Sequence, residues 1–105
     1  MILCVDPDTG DRADTQAALS EAHDDIRGCE SLSSARDVLG ERTVECLITE
    51  YDLPDGTGLE LIEETRASAP DAACILFTET PLEEIDTGAF GDVVAEYLPK
   101  DTPDA

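Results

Sequence analysis

Short apolar runs alternate with amphipathic helical stretches along the whole chain, and this alternation most constrains its fold. Runs at residues 1–5, 25–29, 44–49, 73–78 and 93–98 have strand character, although the second is weak. Helical spacing fills the intervals at 11–22, 31–39 and 59–67, with a fainter stretch at 81–85. The run from Ala73 to Thr78 carries no charge, which suits a strand covered on both faces. Leu32, Ala35, Val38 and Leu39 share one helical face, and Gly40 reads as a stop signal. Asp8 or Thr9 is placed to cap the first helix, and Pro70 ends the third. Pro81 suits a first helical turn, but Gly88 and Gly91 interrupt any longer helix there. Alternating strands and helices predict a parallel sheet with helices on both faces, and right-handed crossovers make it doubly wound. After Lys100 only five residues remain, too few for a fifth helix. One apolar patch of sheet is therefore expected to lie uncovered, awaiting either a helix further along a longer parent chain or a partner.

At 105 residues the chain makes one small domain. Twenty-six acidic residues face six basic ones, for a net charge of −20, and Lys100 is the only lysine. Acids recur in every segment, so self-repulsion opposes compaction unless salt screens it. At 1 M salt the screening length falls to about 3 Å, and the composition is that expected of a halophile. Arg12, Arg27, Arg36, Arg42 and Arg66 form no cluster, which argues against direct nucleic-acid binding. Cys4, Cys29, Cys46 and Cys74 lack metal-type spacing and mostly sit within apolar runs, as packing residues do. There is neither a leader-like start nor a run of membrane-spanning length, so a soluble cytoplasmic domain is expected.

Residues 46–58 carry the most chemistry. An apolar run ends at Glu50, Asp52 comes two residues later, then Leu53-Pro54 and a glycine-rich turn to Gly58, then a helical pattern. Ligands of open parallel sheets bind beyond the carboxyl ends of the strands. Asp6, Glu50, Thr78 and Lys100 stand at four such ends. No Ser–His or Cys–His pair accompanies them, so triad hydrolysis is unsupported and no enzymatic role is expected.

The ordered set resembles the receiver domain of two-component response regulators over the whole chain. The resemblance implies a flavodoxin-like, three-layer α/β/α fold with strand order 2-1-3-4-5, here with the fifth helix absent or truncated. Residues 1–105 would form one receiver domain at the start of a longer signalling protein. Glu50 matches the phosphoacceptor, Asp6 the first of an acidic pair, and Asp52 the residue whose carbonyl binds Mg²⁺. Pro54 and Gly58 match the loop, Thr78 the hydroxyl that meets the phosphoryl group, Tyr97 the aromatic switch and Lys100 the lysine. Two positions depart from the pattern. The second acid of the pair is Pro7, which leaves only weak Mg²⁺ binding through Asp6, Glu50, Asp52 and Asp8. The phosphoacceptor aspartate is replaced by Glu50, whose oxygens reach one bond further.

The site admits three readings. Glu50 and Lys100 form a partial mimic of the activated state, supporting protein contact without phosphorylation. Alternatively they are a plain structural ion pair. In the third, the site is a working acceptor for phosphoryl from a histidine kinase. Thr78 and Tyr97 read equally as switch residues or as strand-end and core residues, and Glu60, Glu63 and Glu64 read as a solvated helix face. The expected partners are a histidine kinase or a downstream signalling domain. They would meet the face made by the fourth helix and the fifth strand, through which a homodimer could also form. A small flavodoxin-like nucleotide or cofactor enzyme is the alternative of another class. The stretch Asp6-Pro-Asp-Thr-Gly-Asp11 has no phosphate-binding glycine loop and counts against it.

Overall fold

The computed structural model describes residues 1–80 and 96–99. Strand β1 (Ile2–Val5) leads to α1 (Thr9–Ser20), β2 (Ile26–Cys29), α2 (Leu32–Glu41) and β3 (Cys46–Thr49). A small hairpin of β4 (Asp52–Leu53) and β5 (Gly56–Thr57) precedes α3 (Gly58–Ser68), β6 (Ala73–Thr78) and β7 (Glu96–Pro99). The main sheet is parallel, in the order β2-β1-β3-β6-β7. Leaving out the hairpin, this is the 2-1-3-4-5 order the sequence implied. The expected fourth helix at 81–85 lies outside the described residues.

Side-chain alternation divides the sheet into two unlike faces. Leu3, Val5, Leu47, Cys74 and Leu76 point to one side and pack with Leu32, Ala35 and Val38 of α2 and Leu59, Leu61 and Ile62 of α3. This is the core. Helix α1 packs over β1 and β2 and has no buried residue of its own. Gly28 lies beneath it, so close that a Cβ there would meet the Gln16 side chain at 2.6 Å.

The helix ends follow local chemistry. Asp8 caps α1, its Oδ1 accepting from the Asp11 N–H at 2.9 Å. The helix therefore starts at Thr9, before the expected boundary. Ser31 caps α2 through the Ser34 N–H at 3.1 Å. Gly40 does not stop α2. It lies within the helix, which runs on to Glu41 and ends where Arg42 turns extended. Without a left-handed backbone at this glycine, the stop signal has no geometry to act through.

Helix α3 begins with a capping box. Thr57 Oγ1 accepts from the Glu60 N–H at 3.3 Å, and Glu60 Oε2 accepts from the Thr57 N–H at 3.1 Å. Glu64 takes a two-pronged bond from Arg36 of α2, at 2.8 and 2.6 Å. Neither acid is merely solvated, contrary to the reading of Glu60 and Glu64 from sequence. The hairpin also escaped that reading, because two-residue strands show no periodicity.

Candidate functional site

Parallel pairing brings the strand ends level. The Glu50 N–H donates to the Val5 carbonyl at 2.8 Å, and the Asp6 N–H donates to the Cys29 carbonyl at 2.9 Å. Asp6 and Glu50 thus follow β1 and β3 at the same edge, beside Thr78 at the end of β6. Thr78 is fully buried, and its Oγ1 donates to Glu50 Oε2. The same carboxylate oxygen accepts from the Tyr51 N–H at 2.6 Å and the Asp52 N–H at 3.3 Å. Glu50 therefore curls back over its own following turn and meets a hydroxyl and two backbone donors. Bonds of this kind to a charged acceptor are the stronger sort.

The loop beyond Glu50 is tied down twice. The Gly58 N–H donates to the Tyr51 carbonyl at 2.8 Å. A Cβ at Gly58 would lie 2.3 Å from the Glu50 carbonyl oxygen, so only glycine permits this approach. Pro54 and Asp55 form the hairpin tip. Asp55 reaches across to the start of α2, accepting from the Leu32 N–H at 2.8 Å and the Ser33 N–H at 2.9 Å. Those two backbone donors hold its carboxyl below the ordinary aspartate range. Asp55 was not singled out from the sequence. Its partners are 22 and 23 residues away, beyond any local signal.

Tyr97 is half-buried against the core, and its hydroxyl donates to the Thr80 carbonyl at 2.7 Å. The Thr80 N–H in turn donates to Thr78 Oγ1 at 3.1 Å. A chain of bonds thus runs from Glu50 through Thr78 and Thr80 to Tyr97. Thr80 is a further residue that sequence reasoning passed over. Its hydroxyl also lies 3.4 Å from Asp52 Oδ2 on the exposed side of the loop. Lys100, the expected counter-charge, lies outside the described residues.

Among the described residues the acidic side chains do not gather into a cluster of the kind that holds Mg²⁺. Asp6 is buried, and its Oδ1 accepts from the Asp8 N–H at 2.9 Å. Asp8 is engaged as a helix cap, Asp52 points outward, and Pro7 offers no ligating side chain. Arg12 enters the same region, donating to the Asp6 carbonyl at 2.7 Å. Among the described residues no three acidic, histidine or cysteine side chains come close enough to hold a metal ion. Mg²⁺ demands near-octahedral oxygen donors, and the described acidic side chains alone do not supply that set.

Comparison with known proteins agrees with this geometry. Residues 2–105 match the profile of the response regulator receiver domain, and the chain belongs to that family. It is 26% identical over 93 residues to the response regulator protein PilR of Pseudomonas aeruginosa, a match covering 84% of this chain. It spans about a fifth (21%) of that curated relative. A CheY-like receiver domain protein from Methanospirillum hungatei superposes with a TM-score of 0.85 at 20% identity, covering 97% of this chain and 82% of that one. A response regulator from Burkholderia pseudomallei, solved with a phosphorylated aspartic acid, a calcium ion and citrate, superposes with a TM-score of 0.84. That match has 20% identity and covers 97% of this chain and 60% of the other. At such identities the two structures establish the CheY-type, flavodoxin-like fold.

Proposed function

We propose that this receiver domain signals by protein contact without a phosphorylation cycle, with Glu50 standing where the family places its phosphoacceptor. One observation carries the reading. Glu50 Oε2 is already engaged by the Thr78 hydroxyl and by the N–H groups of Tyr51 and Asp52. The hydroxyl that would meet a phosphoryl group meets a carboxylate instead. Tyr97 is bonded inward through Thr80, as a switch coupled to that contact would be. The imitation is partial, since one carboxylate carries less charge than the roughly −2 of a phosphate and fewer acceptor oxygens.

Phosphoryl transfer onto Glu50 is disfavoured on two counts. In-line attack tolerates little misplacement, about 1 Å costing on the order of 100-fold, and glutamate displaces the oxygen by one bond. Pro7 also removes a metal-binding carboxylate from a reaction that relies on charge neutralisation.

The partners in this reading are a histidine kinase or a downstream signalling domain, met at the face that includes β7 and Tyr97. A homodimer through that face is the competing use of it. Direct nucleic-acid contact is disfavoured by the net charge of −20. The same charge fits a salt-rich cytoplasm. Among the described residues no helix is long and apolar enough to cross a membrane.

The test is exposure to acetyl phosphate or beryllofluoride with Mg²⁺ in molar salt, following protein mass and the resonances of Glu50, Thr78 and Tyr97. The native domain is expected to show neither adduct nor shift. An adduct restricted to Glu50→Asp marks the extra methylene as the block, and silence in both forms points to Pro7. A saturable response in the native domain refutes the proposal and makes it a working phosphoswitch.

A further inference from the structure

The first N–H groups of a helix find no partner within it. At the start of α2 the Ser31 hydroxyl accepts from the Ser34 N–H at 3.1 Å. The N–H groups of Leu32 and Ser33 are met from elsewhere in the chain. Asp55, at the hairpin tip, places one carboxylate oxygen on each, at 2.8 and 2.9 Å. Apolar packing reinforces the joint. Leu53 of the same hairpin shares the core with Leu32, and a Cβ on Gly56 would stand 2.5 Å from Leu32 Cδ2. The base of the hairpin belongs to Glu50, whose Oε2 accepts from the N–H groups of Tyr51 and Asp52. Between the two carboxylates β4 and β5 pair antiparallel, Asp52 with Thr57 and Leu53 with Gly56. The Gly58 N–H closes the base on the Tyr51 carbonyl at 2.8 Å. The hairpin is thus a short strut, held at its base by Glu50 and at its tip by α2.

We propose that Asp55 is a positioning residue for Glu50: by anchoring the hairpin tip on α2 it holds the Tyr51 and Asp52 N–H groups where Glu50 meets them, so that a change at Glu50 is transmitted to the start of α2. Asp55 acts through the backbone of the strut, which its ladder bonds and its packing on Leu32 leave little room to bend. Close-packed neighbours pass on such a displacement rather than absorb it. The coupling is reciprocal. Whatever loosens the hold of Glu50 on Tyr51 and Asp52 loosens the hold of Asp55 on Leu32 and Ser33 by the same free energy. This route leaves the site on the opposite side from the one through Thr78 and Thr80 to Tyr97, and gives it a second outlet where α2 begins. That the outlet carries signal rests on the reading of Glu50 proposed above, whereas the coupling rests on geometry alone.

Amide hydrogen exchange of the isotope-labelled domain in molar salt tests the coupling in both directions. Asp55→Ala is expected to speed exchange at Tyr51 and Asp52 about tenfold more than at the β1 amides of Leu3 and Cys4. Asp55→Asn, which keeps one acceptor oxygen, should restore part of that protection. In the reverse direction Glu50→Ala should speed exchange at Leu32 and Ser33, and this variant reads the coupling even if Asp55→Ala fails to fold. A role confined to capping α2 would disturb Leu32 and Ser33 in Asp55→Ala and leave Tyr51 and Asp52 as they are in the native domain. That result overturns the proposal. So does a uniform loss of protection along the chain, or a Glu50→Ala variant whose Leu32 and Ser33 amides are unchanged. These readings are separate from the phosphodonor experiment, where a saturable response refutes the reading of Glu50 and leaves the coupling standing.

Discussion

Replacing Gly58 by alanine tests whether the loop after Glu50 depends on a backbone approach that no side chain allows. The added Cβ would sit 2.3 Å from the Glu50 carbonyl oxygen and 3.0 Å from both Leu76 Cδ1 and Thr49 Cγ2. The nearest obstacle is backbone, held by the Glu50 N–H bond to Val5, so relief requires moving α3 or the end of β3. Overpacking of this kind costs about 1–3 kcal/mol. Alanine returns up to about 1 kcal/mol through its better helix propensity, less in a first turn. The net expectation is a loss of about 1–2 kcal/mol, which for a domain of this size lowers Tm by roughly 5–15 °C.

Gly40→Ala is the matched control. Gly40 also lies in a helix, but a Cβ there meets nothing within 4 Å. It should stabilise the domain by about 0.5–1 kcal/mol. Thermal melts of both variants in molar salt, with resonance shifts at Glu50 and Thr78, decide the matter. If Gly58→Ala melts at or above the native temperature, or leaves Glu50 and Thr78 undisturbed, the close-approach argument fails.

Thr78→Val keeps the shape of the buried residue but removes the hydroxyl from Glu50 Oε2, and should cost about 1.5–3 kcal/mol in a denaturation midpoint. A change near zero would mean that Glu50 does not need that donor. Asp55→Asn should lower Tm at neutral pH. The folded carboxyl is held below its ordinary 3.8, so its contribution is present above that pH and lost as pH falls through the folded value. The difference in Tm between native and Asp55→Asn should therefore shrink on acidification, and a gap that persists at low pH contradicts the assignment. At the alkaline end, burial, reinforced by Cys46 and Cys29, pushes the Cys4 thiol up to about 11. Its contribution is full below the ordinary 9.0 and lost as pH rises toward about 11, so melts across that interval should drop. Thiol reagents at pH 8 should label Cys4 only after unfolding, and rapid labelling of the folded domain would refute its burial.

Much of the architecture was legible in the chain. Short apolar runs with helical spacing between them placed the three described helices and the main-sheet strands, because burial in a sheet or along one helix face imposes those patterns. The order of Asp6, Glu50, Thr78, Tyr97 and Lys100 along that pattern sufficed for the family. The Thr57–Glu60 capping box was also present as a local signal, although the glutamate read as a solvated residue. Gly40 misled because glycine acts as a helix stop only in a left-handed backbone, which its identity permits but does not impose.

Other features depend on distance in space. The docking of Asp55 on α2 and the chain from Glu50 to Tyr97 join residues far apart in sequence, which only strand register brings together. Among the described residues the expected acids form no metal-holding cluster, for the same reason. Asp8 turns to cap α1 and Asp52 turns outward, choices set by backbone direction at each strand end. The pattern of elements did not show that α1 carries Asp14 to the border of the apolar face of β6 and β7. By itself, the sequence determined the order of elements and the type of chemistry at the strand ends, because periodicity and residue identity are local. The tertiary structure alone decided which donors meet Glu50 and which charges border that apolar face, because those contacts arise only when the sheet aligns its strands.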